Sequence, residues 1–311
     1  MSAQEATPVV EQPTSRGILL AVASLIWLAA MLFSARITIT GGADAEMEVT
    51  STAYALPGAV TASLVTGAAL ALAVLGLIGR RRTLGATARF AIATGTGLVV
   101  GLAGALTIIT INTDGWLYAV VGGTIAAAAT IGGALAGFRA PRVLAAVCWA
   151  SIGVFLVGFV LNVFQNPVLH VLGSGSSQAS QTSAAQWFSF AQSLLSGLAA
   201  GLISFRVLRR ARRGVDGDLG WPFYALAGAG PGLLLVVGEG LTRTAGARVL
   251  ELAGQVSELE LTVQRLLSGA RFNNALIVLF VGAISAVIAI GRTMGPRVEE
   301  PAEEPAPVAA D

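Results

Sequence analysis

The feature that most constrains this chain is a series of apolar stretches bounded by charged residues, each long enough to cross a lipid bilayer. A spanning helix needs about 20 mostly apolar residues, because each residue advances the helix by about 1.5 Å. With 55% hydrophobic and 12% charged residues, the 311-residue chain also lacks the polar surface of a water-soluble globule of this size. The sequence therefore predicts an all-α, polytopic transmembrane helix bundle.

Eight spans follow from the positions of the charges. The interval from Arg142 to Arg206 is too long for one helix, and its polar stretch at 173–186 divides it into two spans. The predicted spans lie near residues 17–35, 56–79, 90–112, 116–138, 143–164, 186–205, 219–238 and 272–291, within a bundle that covers 17–292. The segment 1–16 and the Pro-, Ala- and Glu-rich tail 298–311 are predicted to be disordered and cytoplasmic.

Arginine placement sets the predicted orientation. All nineteen basic residues are arginine, and arginine is retained mainly on the cytoplasmic side of a membrane. Threading eight spans from a cytoplasmic N-terminus puts fourteen arginines inside and five outside. The chain is therefore predicted to have both termini inside, as a multi-pass protein of the plasma membrane in contact with membrane lipids. Its arginine-, alanine- and glycine-rich composition is typical of an actinobacterial protein.

Residues that carry catalysis or bind cofactors are scarce. The chain has one histidine, His170, and one cysteine, Cys148, and no HExxH, GxSxG or nucleotide-phosphate motif. We therefore expect no enzyme, no catalytic or metal-binding residue and no cofactor. The arginines flank apolar runs and do not form one basic face, so no nucleic acid partner is expected. No Asp, Glu, Lys or His lies deep in a predicted span, which argues against ion-coupled transport.

Glycine pairs four residues apart recur in four of the predicted spans. Such a pair lies on one face of a helix and lets a second backbone approach closely. The pairs are Gly97/Gly101, Gly133/Gly137, Gly197/Gly201 and Gly228/Gly232. They predict either tight packing inside one bundle or a face that docks a second subunit.

The seventh predicted span contains Gly-Ala-Gly-Pro-Gly near its middle. Proline lacks a backbone donor and clashes with the preceding turn, so a kink or a break is predicted at Pro231. Broken helices at the midplane can bind solutes through freed carbonyls and half-helix ends. The candidate solute site comprises Gly228, Gly230, Pro231 and Gly232, with a purely structural kink as the alternative. Glu239 and Arg243 are expected to pair where this span leaves the membrane.

An outer amphipathic helix is predicted at 246–268, between the seventh and eighth spans. Its apolar residues are spaced by three and four in turn, which is the heptad pattern of a coiled coil. These candidate association residues are Val249, Leu252, Val256, Leu259, Val263 and Leu266. The stripe predicts a homo-oligomer or a membrane-protein partner, or else a helix that lies on the membrane surface or packs on its own chain.

Two functional hypotheses follow. The first is a non-enzymatic integral membrane protein that acts through association, as an accessory or scaffold subunit of a cell-envelope complex. The second is an uncoupled transporter of a small neutral or lipidic solute, with its site at the predicted break in the seventh span. Association predicts oligomers, and transport predicts a cavity beside Pro231.

Overall fold

The chain folds into helices throughout the part that the computed structural model describes, which comprises residues 14–41, 45–111, 116–138, 140–175, 177–212, 220–256 and 258–293. In chain order these helices are α1 (Thr14–Thr40), α2 (Ala45–Gly79), α3 (Ala86–Ile109), α4 (Trp116–Ala136), α5 (Pro141–Val163), α6 (Gln165–Val171), α7 (Gln178–Arg212), α8 (Trp221–Thr244), α9 (Ala247–Val256) and α10 (Glu258–Gly291). The predicted disorder at 298–311 and at nearly all of 1–16 falls outside the described residues.

Eight of these helices are long and apolar enough to cross a membrane, which confirms the predicted helical bundle. They are α1 to α5, α7, α8 and α10. Local sequence explains several of their starts. Pro141 opens α5 and Pro222 lies in the first turn of α8, where the missing backbone donor has no helical partner to lose. The chain before α3 is extended at Gly85.

Several helices extend beyond the spans predicted from the charges. α2 begins at Ala45 and not near 56, α7 begins at Gln178 and not near 186, and α8 continues past 238 to Thr244. A charged residue marks where a helix leaves the hydrocarbon of the membrane. The helix itself can continue beyond that residue, because its backbone hydrogen bonds also form in water or against protein. The charge-bounded intervals therefore underestimate helix length.

The outer segment predicted as one amphipathic helix is divided between two helices. Its first half forms α9, and its second half is the beginning of α10, which runs without interruption into the eighth span. Val249 of α9 is fully buried, whereas Leu259 and Leu266 of α10 are 74% and 69% exposed. The heptad positions therefore do not form one continuous stripe, because the two helices present them to different surroundings.

The spanning helices form two groups of four that meet along α2. In the first group α1, α2, α3 and α4 pack together, and in the second group α5, α7, α8 and α10 do so. The two groups contact each other mainly where α2 lies against α8 and α5, and where α1 lies against α5. Each group contains four consecutive spans, so the bundle has an N-terminal and a C-terminal half.

Glycine allows close helix contacts within each half. A Cβ atom on Gly97 would lie 2.4 Å from the carbonyl oxygen of Ala129, so α3 and α4 touch through their backbones. Gly201 and Gly228 both approach the backbone of Gly282, which brings α7 and α8 against α10. All four predicted glycine pairs therefore include residues that serve packing within one bundle.

Candidate functional site

A cavity of about 320 Å³ lies between the two halves of the bundle. Six spanning helices line it: α1 and α2 from the N-terminal half, and α5, α7, α8 and α10 from the C-terminal half. It extends along α8 from Pro231 to Glu239, which corresponds to about 12 Å at 1.5 Å per residue. The volume falls at the lower end of the range of small-ligand pockets, roughly 300–1,000 Å³.

Two prolines inside helices line this cavity, one from each half. Pro57 lies within α2, and the hydroxyl of Thr61 donates a hydrogen bond of 3.0 Å to the Pro57 carbonyl. Sequence reasoning missed Pro57 as the counterpart of Pro231, because the predicted span began at residue 56. Since α2 begins eleven residues earlier, Pro57 is an interior residue, and the in-helix prolines of the two halves meet at one cavity.

The helix is not broken at Pro231. α8 is continuous from Trp221 to Thr244, with Pro231 inside it. Proline deprives the carbonyl of Ala227, four residues earlier, of its helical donor. The buried hydroxyl of Ser204 on α7 donates to that carbonyl at 2.8 Å. A neighbouring helix therefore supplies the missing hydrogen bond.

Most residues of the predicted solute site pack against neighbouring helices. Gly228 lies against Gly282, Gly230 against the side chain of Val147, and Gly232 against the backbone of Leu279. Of the four candidate residues, Pro231 alone lines the cavity. The cavity therefore extends from Pro231 toward Glu239, while the three glycines contact neighbouring helices.

A buried carboxylate with three donors forms the end of the cavity at Glu239, called the outer end after the predicted orientation. Glu239 is 4% exposed, and its carboxylate accepts from Arg243 Nε at 2.9 Å and from Arg271 Nε at 3.0 Å. The hydroxyl of Ser268 also donates to Glu239. The expected Glu239–Arg243 pair is thus present, and Arg271 of α10 joins it.

Glu239 lies just beyond the end of the seventh span as the charges predicted it, but inside the span as the structure has it. Glu239 lies within a segment apolar enough to span, five residues before the end of α8. The sequence-based span ended one residue earlier, because the charge itself was used as the boundary. The expectation that no charged residue lies deep in a span is not contradicted by Glu239, because Glu239 lies near the end of α8.

Two donors in the cavity wall lack partners. Nη2 of Arg271 and Nε1 of Trp27 are buried atoms without a hydrogen-bond partner, and both side chains line the cavity. Trp27 is 7% exposed, and its ring stacks on Phe155 with centroids 4.9 Å apart. A buried donor without an acceptor costs about 1–3 kcal/mol, so the cavity favours a ligand that brings acceptor atoms.

A second cavity, of about 370 Å³, lies between α1 and α2. Met31 and Gly58 line both cavities. A Cβ atom on Gly58 would lie 3.4 Å from the sulfur of Met31, so these two residues are in contact range. Because Met31 lines both cavities, its side chain lies where they adjoin. Methionine side chains are flexible.

The six candidate association residues differ in how far they are buried. Val249 is in the core, Leu252 packs against the core, and Val263 is half-buried on α10. Leu259 and Leu266 are exposed, and the side chain of Val256 lies outside the described part of the chain. Two of the six residues thus present large apolar side chains to the surroundings of the bundle.

Groups for metal binding or nucleophilic chemistry are sparse where the structure describes side chains. Cys148 is a free, fully buried thiol on α5. Within the described segments, no group of three or more His, Cys, Asp or Glu side chains is arranged to hold a metal ion. The polar groups of the cavity instead include hydroxyls, amides and the Glu239 ion-pair cluster, which suit hydrogen bonding and charge recognition.

Comparison with protein-family models, with curated proteins and with solved structures gave no match to this chain.

Proposed function

We propose that this membrane protein is a non-enzymatic carrier of a small amphipathic solute, which it binds in the cavity between its two halves. The observation that carries the proposal is the cavity itself, with apolar walls and a charged outer end. Solute sites in transporters commonly lie where two structural halves meet near the midplane. In-helix prolines from both halves at such an interface fit this arrangement, because they weaken helix regularity where a carrier must rearrange.

The second cavity supplies a route for a lipidic solute. It lies between α1 and α2 and adjoins the main cavity at Met31. A solute dissolved in the bilayer reaches the site sideways along this route, without crossing the aqueous phase. Rotation of the flexible Met31 side chain would connect the two spaces.

Native mass spectrometry of the protein released from mild detergent tests whether it retains a small molecule. Gly158 lines the cavity, and its nearest neighbour outside α5 is the end of the flexible Gln192 side chain, so Gly158→Leu fills the cavity with little backbone strain. Gly123→Leu is the matched control, because Gly123 is exposed on α4 with open space around its Cβ position. We expect a bound mass on the wild type and on Gly123→Leu, and its loss from Gly158→Leu.

The proposal is contradicted if the wild type carries no small molecule under conditions that preserve bound lipid on a reference membrane protein. It is equally contradicted if Gly158→Leu retains the same molecule in the same amount as Gly123→Leu.

Association with a second protein is the other candidate function, and the exposed Leu259 and Leu266 favour it. They lie seven residues apart on α10 and therefore share one helix face. A partner helix packed on this face would cover both leucines. The proposal is an accessory role in a cell-envelope complex, now limited to the outer end of α10 because Val249 is occupied by the core.

Light scattering of the purified protein in mild detergent tests this second candidate. Leu259→Glu with Leu266→Glu is expected to convert an oligomer into a monomer. Arg265→Gln, at an exposed position on the same helix, is expected to leave the mass unchanged. A wild-type monomer that co-purifies with no other protein would contradict the association role.

A further inference from the structure

The two buried polar atoms of the cavity wall that lack a hydrogen-bond partner, Arg271 Nη2 and Trp27 Nε1, are both donors. Glu239, the acidic group of the cavity wall, already accepts from Arg243, Arg271 and Ser268. Arg271 uses Nε for Glu239, but its Nη2 is buried without a partner. A guanidinium has five N–H donors and no acceptor, so the open position of Arg271 requires an acceptor.

Charge at the outer end of the cavity is also unbalanced. Two arginines, Arg243 and Arg271, converge on the single carboxylate of Glu239. Glu260 is the next acidic residue along α10, about 16 Å from Arg271 along the helix axis, and it accepts a hydrogen bond from Gln264 at 3.0 Å. Among the described residues, two arginines and one carboxylate are therefore in direct contact at this end, and Arg271 is the arginine that lines the cavity.

The remainder of the wall is suited to an apolar body. From Arg271 inward, α10 contributes Ala275 and Val278, and α8 contributes Leu235 and Leu234. The aromatic stack of Trp27 on Phe155 lies on the α1 and α5 side. Since such side chains favour hydrocarbon over water, they stabilise the part of a ligand that carries no charge.

Resting on the proposed function, we propose that the solute is an acidic amphiphile with a carboxylate or phosphate head and a single short apolar tail. The head binds the guanidinium of Arg271 at the end of the cavity, and the tail occupies the roughly 12 Å between Glu239 and Pro231. The proposal also assigns the indole N–H of Trp27, the other buried donor of the cavity wall, to an oxygen of the same head.

Binding of radiolabelled decanoate to the full chain in lipid nanodiscs tests this proposal. Unlabelled decanoate, decyl phosphate, decanol and acetate compete in separate arms, with empty nanodiscs as the blank. We expect decanoate and decyl phosphate to bind about tenfold more tightly than decanol. Decanol has no acidic head and cannot form the charge-assisted hydrogen bonds to Arg271. Acetate is expected to compete weakly, since it has no tail.

Variants of three residues separate the recognition of the head from general stability. Arg271→Gln is expected to weaken decanoate binding about tenfold and to leave decanol binding unchanged. Arg265→Gln is the matched control, six residues away on the exposed side of α10. Trp27→Phe keeps an aromatic ring against Phe155 but removes the N–H, and we expect about fivefold weaker decanoate binding. This last variant keeps the test decisive if Arg271→Gln does not fold.

Four outcomes would overturn the inference. Decanol that competes as well as decanoate, or equal losses for Arg271→Gln and Arg265→Gln, would exclude an acid-binding site while leaving the carrier proposal intact. Acetate that competes as well as decanoate would exclude a role for the tail. If neither decanoate nor decanol binds and native mass spectrometry finds no retained molecule, the proposed function fails together with the inference.

Discussion

Ser204 supplies a hydrogen bond that a proline has removed from the neighbouring helix. Its hydroxyl donates to the Ala227 carbonyl, which Pro231 has left without a helical donor. Sequence reasoning predicted a kink or a break at this proline, and the structure shows no break. The hydrogen bond from Ser204 could not be foreseen, because Ser204 is on another helix. A residue 27 positions away in the sequence cannot be recognised as a hydrogen-bond donor until α7 and α8 are packed together.

A double-mutant cycle tests this compensation. Ser204→Ala alone is expected to lower the stability of the bundle by about 1 kcal/mol, since a buried carbonyl loses its donor. In a Pro231→Ala background the residue at 231 regains an N–H, so the same change is expected to cost less than about 0.5 kcal/mol. Thermal unfolding in detergent measures both costs. Equal costs in the two backgrounds would show that Ser204 does not compensate for the proline.

Glu239 offers a second test at the residue scale. Glu239→Gln removes the charge that Arg243 and Arg271 share, and we expect the free energy of unfolding to fall by about 2 kcal/mol. The expected loss is smaller than for a fully buried ion pair, because Arg243 is 44% exposed. Glu251→Gln is the control, since Glu251 pairs with Arg248 at the surface and its replacement is expected to cost less than about 0.5 kcal/mol. Denaturation in detergent that finds equal stabilities for the two variants would contradict a structural role for Glu239.

Helices of this chain depend on glycine for their closest contacts. Lipid provides no hydrophobic drive for helices to associate, so van der Waals contact between backbones becomes important. The pattern of glycine pairs predicted such faces, and the structure shows that α3 and α4 use them on each other. The sequence alone could not separate this use from docking of a second subunit, because both require the same small residues.

Gly97 and Gly95 on α3 provide a matched pair for this contact. A Cβ atom on Gly97 would meet the Ala129 carbonyl oxygen at 2.4 Å, whereas open space surrounds the same position on Gly95. Gly97→Ala is therefore expected to destabilise the bundle by about 1–3 kcal/mol. Gly95→Ala is expected to be neutral or slightly stabilising, because alanine favours a helix over glycine. The reverse order of melting temperatures would contradict the packing of α3 on α4.

At the scale of the whole molecule, charge-bounded apolar runs predicted the number and order of the spans. They did so because hydrocarbon excludes charge regardless of the fold. The same rule misplaced the ends of α2, α8 and α10, and with them the interior Pro57 and the buried Glu239. The cavity was beyond prediction, because its wall combines Trp27, Phe155 and Arg271 from helices far apart in the sequence.

Carriage requires the bundle to open beyond Pro231, where Gly228 of α8 contacts Gly282 of α10. Uptake of radiolabelled decyl phosphate into proteoliposomes measures this movement, because its charged head crosses a bare bilayer slowly. We expect uptake by the wild type and by Gly123→Leu, and background uptake by Gly158→Leu. Binding of the amphiphile by the wild type without uptake above empty liposomes would limit the function to binding.

The most direct measurement is an experimental density map of the protein purified with its native lipids in nanodiscs. The central claim is a ligand cavity between the two four-helix halves. We expect elongated non-protein density between Pro231 and Glu239, with its head within hydrogen-bonding distance of Arg271. Helices α1 and α2 packed directly against α5 and α8, with no space between them, would contradict the account.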